Sequence, residues 1–181
     1  MLVIASDGCA GNYGAGFGVI VYDTESESKS YYSGTLRNEK INSAMISGKD
    51  LMFVYSEEHE HEHASNIRAE LCGFLFTLML AKQMGASTIM AVLKHDYCIN
   101  AFNGNNDPTD NADIVSLIMQ CKGGIEVGFM LMESYLTERM IWNLSGIDRV
   151  YAELNYEVTG VSESARNNIK SRGNSTIIAR G

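Results

Sequence analysis

Apolar residues in this chain occur either in short runs or at helical spacing, and the two patterns predict different elements. Short runs rich in Val and Ile, separated by Gly-rich turns, predict buried strands near the N-terminus. Between 66 and 84, apolar positions recur every three or four residues, Ser65 is a suitable N-cap, and Gly85 is a natural stop. The predicted elements are strands over 2–6, 17–22 and 30–36, a helix over 66–84, a strand over 88–96, helices over 97–102, 113–121 and about 129–144, a strand over 150–158 and a helix over 162–171.

The order of these elements predicts the fold class. Three strands come first, and a helix, a strand, further helices, a fifth strand and a final helix follow. A hairpin-rich start followed by crossover connections indicates an α/β protein with a five-stranded mixed sheet flanked by helices. The length of 181 residues fits one domain, 1–181, with a core of its own.

Charge and composition narrow the range of partners. The net charge of -8 argues against indiscriminate nucleic-acid binding, because phosphate binding normally needs a basic surface. A local basic patch or a solvated terminal helix could be formed by the basic residues near the C-terminus, which are Arg166, Lys170, Arg172 and Arg180. No stretch approaches the ~20 apolar residues of a membrane helix, so no membrane partner is expected. The four scattered cysteines form no CxxC pair and predict reduced thiols in a cytoplasmic protein.

Three carboxylates stand at positions where an acidic residue is costly. Asp7 and Asp96 end otherwise apolar strands, and Glu70 lies on the predicted first helix between apolar-face positions, so it points toward the sheet. A single acidic residue at a strand end is more often a turn former or a helix cap. Three carboxylates meeting at one point would instead form an oxygen-only site, which suits Mg²⁺ or Mn²⁺ better than Zn²⁺.

Motifs across about residues 1 to 104 resemble type I ribonuclease H. The first strand ends in Asp7-Gly8-Cys9, a turn reads Asn12-Tyr13-Gly14, and the second strand reads "GFGVIVYD". The first helix begins with "SNIRAEL" at 65–71, and the fourth strand ends at Asp96. Each motif alone is a weak signal, and the specificity comes from their order and spacing. The resemblance implies a ribonuclease H-like fold in which 38–64 is an insertion.

The resemblance also implies an activity and its residues. The family hydrolyses the RNA strand of RNA–DNA hybrids with two divalent ions, Mg²⁺ or Mn²⁺, and the matching ligands here are Asp7, Glu70 and Asp96. Asn12 and Asn66 match positions that contact the 2′-hydroxyls of the RNA strand, which distinguish RNA from DNA. Ser65 matches a residue that contacts a DNA-strand phosphate.

The resemblance weakens toward the C-terminus. If 150–158 is the last strand, Val161 stands where the family has a His, and Ser171 stands at the position of a fourth carboxylate. Glu163 or an Asn of the same turn could replace that carboxylate. Tyr97 follows Asp96 where a Ser is common. His95, next to Asp96 on a strand, is predicted to point to the other face and to be structural.

Three other functions fit parts of the sequence. The same fold could serve a DNA nuclease resembling a junction resolvase, although Asn12 and Asn66 favour RNA. A catalytically weakened nucleic-acid-binding or scaffold protein would account for the missing fourth carboxylate. His59, His61 and His63 could bind zinc, but the sequence lacks an HExxH helix and companion Cys ligands, so a solvated polar segment is the better interpretation.

Overall fold

The computed structural model describes residues 1–11, 14–37, 44–46, 53–55, 66–105, 111–132, 136–168 and 178–180. In chain order, the elements are β1 (Leu2–Gly11), β2 (Gly14–Asp23), β3 (Ser28–Arg37), β4 (Ala44–Ile46), β5 (Phe53–Tyr55), α1 (Asn66–Gln83), β6 (Thr88–Leu93), α2 (Tyr97–Asn103), α3 (Ala112–Cys121), β7 (Glu126–Leu131), α4 (Glu138–Trp142), α5 (Gly146–Asn167) and β8 (Ile178–Arg180).

The main sheet is mixed and has the strand order β7-β6-β1-β2-β3-β8. Strands β1, β2, β3 and the three-residue β8 pair antiparallel, whereas β6 pairs parallel with β1 and with β7. Parallel pairing requires crossover connections, and α1 and α3 lie in the two connections that lead to β6 and β7. The predicted five-stranded mixed sheet with flanking helices is confirmed, with β8 as a short addition at one edge.

Helices α1 and α5 cover opposite faces of this sheet. Alternate residues of β1 point to the two faces, so Ile4 packs in the α1 core while Val3 and Ala5 pack with Tyr151 and Leu154 of α5. Helix α1 is buried almost all round, from Arg68 to Ala81, so it is a core helix instead of an amphipathic surface helix.

The prediction of a strand over 150–158 is wrong, and so is the prediction of a helix over 129–144. The fifth principal strand is β7, and residues 150–158 lie inside the 22-residue helix α5, as does most of the predicted final helix. The buried residues Tyr151, Leu154, Val158, Ser162 and Ala165 recur every three or four residues, which is helical spacing. Over nine residues, the partial alternation of "VYAELNYEV" fits both the two-residue period of a strand and the 3.6-residue period of a helix.

The short strands β4 and β5 form a separate two-stranded sheet within the predicted insertion 38–64. The rest of that segment, including His59, His61 and His63, lies outside the described residues, as do Lys170 and Arg172. The assignment of one domain with an insertion therefore stays a prediction. Within the described ranges, no helix has the length and apolar character needed to cross a membrane.

Candidate active site

The candidate site lies where the end of β1 meets the first turns of α1. A Cβ atom added at Gly8 would stand only 2.4 Å from the backbone nitrogen of Glu70 and 2.5 Å from the carbonyl carbon of Ala69. No side chain fits at this distance, so glycine is what allows the helix to lie directly on the strand. This close contact brings Asp7, the residue before Gly8, toward Glu70.

Asp7 is buried and bound through both carboxylate oxygens. Lys94 Nζ lies 3.0 Å from Asp7 Oδ1, and both side chains are 7% exposed. Ser162 of α5 donates its hydroxyl hydrogen bond to Asp7 Oδ2 at 2.5 Å. The parallel register explains the first contact, because Ala5 pairs with Val92 and two further residues bring Asp7 level with Lys94.

Glu70 is the second buried carboxylate of the site. Its Oε1 lies 2.8 Å from Nδ1 of His95, and the two side chains are 8% and 47% exposed, respectively. Burial raises the pKa of Glu70, the interaction with His95 opposes the rise, and the negative charge of Asp7 adds to it. The two carboxylates therefore interact electrostatically across the β1–α1 contact.

Asn66 and Asp96 are the other two predicted site residues that the structure describes. Asn66, the first residue of α1, accepts a hydrogen bond from the backbone N–H of Ala10 at 2.5 Å through Oδ1, which ties the helix start to the end of β1. Asp96 is exposed at the N-cap of α2, where its side chain makes no capping hydrogen bond. Two residues later, Cys98 Sγ donates to the carbonyl oxygen of Glu70 at 3.6 Å.

The structure thus brings together Asp7 and Glu70 among the predicted site residues, and Asp96 directly follows Lys94 and His95, which contact them. Asn12 and Ser65 lie outside the described residues. In the described part of the chain, no group of three or more His, Cys, Asp or Glu side chains could hold a metal ion. Two buried, adjacent carboxylates nevertheless provide the oxygen donors that a divalent cation prefers, and Lys94 supplies only one positive charge to the pair.

Sequence reasoning gave the wrong position for His95 and missed Lys94 and Ser162. Strand β6 ends at Leu93, so the alternation expected for His95 does not continue, and its ring contacts Glu70 instead of the opposite face. Ser162 lies inside α5 and not at the start of a separate final helix. The helical spacing of the buried residues between 151 and 165 is the sequence signal for this position. The charged ending "KHD" of the predicted strand was the available signal for Lys94.

A buried ion pair anchors the first turn of α1. Arg68 lies two residues before Glu70 and is 1% exposed. Its guanidinium forms a bidentate ion pair with Asp113 of α3, with distances of 3.0 Å from Nη1 to Oδ1 and 2.5 Å from Nη2 to Oδ2. Arg68 Nη1 also donates to Asn111 Oδ1 at 3.2 Å. The helix turn that carries Glu70 is therefore fixed to α3 as well as to β1.

An open cleft of about 340 Å³ adjoins the site on the α5 side. It is lined by Lys94, Leu136, Asn155, Tyr156, Glu157, Thr159, Gly160 and Glu163. Lys94 connects the cleft to Asp7. Glu163, one of the two alternatives for a fourth ligand, is exposed on the same helix one residue after Ser162, and that role stays a prediction.

No protein-family model and no curated protein matches this sequence. Solved structures do match. RNase H1 from the halophilic archaeon Halobacterium salinarum NRC-1 has a TM-score of 0.58 at 13% identity, covering 92% of this chain and 98% of that one. The N-terminal RNase H domain of Rv2228c from Mycobacterium tuberculosis has a TM-score of 0.57 at 16% identity, covering 93% and 95%. LC11-RNase H1 in complex with an RNA/DNA hybrid has a TM-score of 0.56 at 13% identity, covering 94% and 100%.

These likenesses span nearly the whole length of each compared chain. The fold is therefore ribonuclease H-like, an α/β fold with a mixed sheet between helices, as the N-terminal motifs predicted. At identities of 13 to 16% the comparison defines the fold, and function depends on the site that the fold carries.

Proposed function

We propose that this protein is a divalent-metal-dependent endonuclease that hydrolyses the RNA strand of RNA–DNA hybrids. The observation that carries the proposal is the pair of buried, interacting carboxylates, Asp7 and Glu70, at the β1–α1 contact of a ribonuclease H-like fold. Burying two carboxylates side by side is unfavourable unless a cation stabilises them, and such a cost is typical of functional sites.

In this proposal Asp7, Glu70 and Asp96 hold Mg²⁺ or Mn²⁺. The bound metal would supply an activated water nucleophile and stabilise the developing charge on the leaving 3′ oxygen. The protein's own residues orient the ligands: Ser162 fixes one oxygen of Asp7, Gly8 admits the backbone of α1, and Arg68 holds the helix turn that carries Glu70.

Recognition of RNA is assigned to the start of α1. Asn66 is exposed, and its Oδ1 is engaged by the backbone N–H of Ala10, so the side chain is fixed and its amide N–H groups can donate to a ribose 2′-hydroxyl. Asn12 and Ser65 are also proposed to contact the hybrid. A structural neighbour, LC11-RNase H1, was solved in complex with an RNA/DNA hybrid, which supports a nucleic acid as the substrate.

A panel of end-labelled substrates tests the proposal. The protein is incubated with an RNA–DNA hybrid, double-stranded RNA, double-stranded DNA and a four-way DNA junction, each with Mg²⁺, Mn²⁺ or a chelator. Cleavage of the RNA strand of the hybrid, dependent on a divalent ion, is expected. Cleavage of the junction alone would replace the proposed substrate with DNA.

One contact favours a second candidate, a protein that binds nucleic acid without cutting it. Lys94 occupies Asp7 Oδ1, an oxygen that a metal ion would otherwise take. Tight binding of the hybrid in a mobility-shift assay, with no product under either metal, would identify this function.

A further inference from the structure

The strongest unexplained feature of the site is a lysine buried against a proposed metal ligand. Lys94 Nζ is 3.0 Å from Asp7 Oδ1. The same ammonium donates a hydrogen bond to Thr159 Oγ1 of α5. Thr159 in turn donates its hydroxyl hydrogen to the carbonyl oxygen of Asn155 at 3.2 Å, so its oxygen is oriented to accept from Lys94. The ammonium is therefore held at Asp7 by groups from two elements.

We propose that Lys94 takes the place of one of two metal ions, so that this site works with a single divalent cation. This inference rests on the proposed function and specifies its metal stoichiometry. Lys94 already supplies a positive charge to Asp7 Oδ1, at the distance of a charge-assisted hydrogen bond. Because Lys94 is 7% exposed and restrained by Thr159, a second ion at this oxygen would have to displace a buried, bonded ammonium.

The net charge of the proposed ligands together with Lys94 is the charge that one divalent ion would neutralise. The three proposed ligands, Asp7, Glu70 and Asp96, would carry three negative charges when ionised, and Lys94 compensates one of them at Asp7. A single divalent ion neutralises the remaining two. Two divalent ions would leave an excess of positive charge before substrate binds, and the low polarity around buried groups strengthens that repulsion.

The position of the remaining ion follows from the occupied oxygens. Asp7 Oδ2 accepts a hydrogen bond from the neutral hydroxyl of Ser162, which does not repel a cation as the Lys94 ammonium at Oδ1 does, and the oxygen has a second lone pair. Glu70 Oε1 contacts His95, whose side chain is 47% exposed, so no buried cation occupies this oxygen as Lys94 occupies Asp7 Oδ1. The single ion is therefore expected between Glu70 and the Oδ2 side of Asp7, away from Lys94.

Counting bound Mn²⁺ tests this directly, because it does not depend on activity. Mn²⁺ is titrated into the folded full-length protein, and the free ion is followed by electron paramagnetic resonance. One bound ion per chain is expected for the unmodified protein and for Lys94→Arg, which keeps the charge. Lys94→Met keeps the volume and removes the charge, and it is expected to bind two ions, the first about tenfold more tightly because a nearby cation is removed.

Lys29→Met is the matched control, because Lys29 also pairs with a carboxylate of α5, Glu157 at 3.0 Å, but not with Asp7. It is expected to bind one ion with unchanged affinity. Two ions bound by the unmodified protein, or an unchanged count and affinity in a folded Lys94→Met variant, would overturn the inference and leave the proposed function standing. Absence of Mn²⁺ binding in every variant would overturn both.

Discussion

Removing Asp113 should destabilise the fold strongly although this residue lies outside the site. Arg68 is 1% exposed and Asp113 is 12% exposed, and two parallel N–H to oxygen contacts join them. Asp113→Ala leaves the guanidinium buried without its carboxylate. Breaking a buried pair in this way costs about 3–5 kcal/mol, and the partial exposure of Asp113 places the expected loss near the lower value, about 3 kcal/mol.

The loss is measurable as a lower free energy of unfolding in urea and as a lower Tm in thermal unfolding. For chains of 150–250 residues, each kcal/mol lowers Tm by roughly 2–4 °C, so a loss of about 3 kcal/mol corresponds to roughly 6–12 °C. The matched control is Glu153→Ala, which removes the carboxylate of an exposed Arg149–Glu153 pair within α5. An exposed pair of this spacing contributes about 0.3–0.5 kcal/mol.

The double variant Arg68→Met with Asp113→Leu sharpens the measurement, because replacing both members by apolar groups removes the buried charge together with its carboxylate partner. It should recover much of the stability lost in Asp113→Ala. If Asp113→Ala costs no more than Glu153→Ala, the Arg68–Asp113 pair does not anchor α1, and the explanation for the placement of Glu70 fails.

Three further results are expected. Gly8→Ala should lower the free energy of unfolding by at least about 1–3 kcal/mol, because the added methyl meets the α1 backbone. Gly160→Ala, in open space on α5, should instead raise the free energy of unfolding by about 0.5–1 kcal/mol. The hydrogen bond to Glu157 raises the pKa of Tyr31 to about 12 from 10.0. The stability that this hydrogen bond contributes should be complete below pH 10 and lost as pH rises to 12, because the unfolded chain ionises first. Tyrosinate absorbance, compared with that of Tyr31→Phe, can show this. Burial raises the pKa of Cys98 well above its usual value, so native protein should resist alkylation there while urea-unfolded protein reacts, as peptide mass spectrometry can report.

The N-terminal half of the fold was predictable because its signals are local. Short Val- and Ile-rich runs produced β1, β2 and β3, and the helix that carries Glu70 had its start and stop marked in sequence. The prediction for the C-terminal half failed where a short stretch of sequence fits both the two-residue period of a strand and the 3.6-residue period of a helix. Residues 150–158 alternate partially, and only the longer range up to Ala165 distinguishes helix from strand.

The site was predictable only in part because its other contacts are distant in sequence. Ser162 and Asp7 are separated by 155 positions, and their contact depends on how α5 crosses the sheet. Lys94 reaches Asp7 through the register of β1 with β6, which no local pattern specifies. Sequence motifs thus singled out the neighbouring carboxylates Asp7 and Glu70, and the tertiary structure supplied their cationic and hydroxyl partners.

The most direct test of the proposed activity is hybrid cleavage by a Glu70→Gln variant. Gln preserves the shape of a buried side chain, and its partner His95 is 47% exposed, so the fold should tolerate the change, as circular dichroism can confirm. With the RNA and DNA strands carrying different labels, the unmodified protein should cut the RNA strand alone in Mg²⁺ or Mn²⁺. Asp148→Asn, an exposed change on α5, should cut equally well. Glu70→Gln should lose activity by at least about a hundredfold, more than the loss of an outer partner of a metal ligand typically causes. Cleavage by folded Glu70→Gln at the unmodified rate would contradict the account.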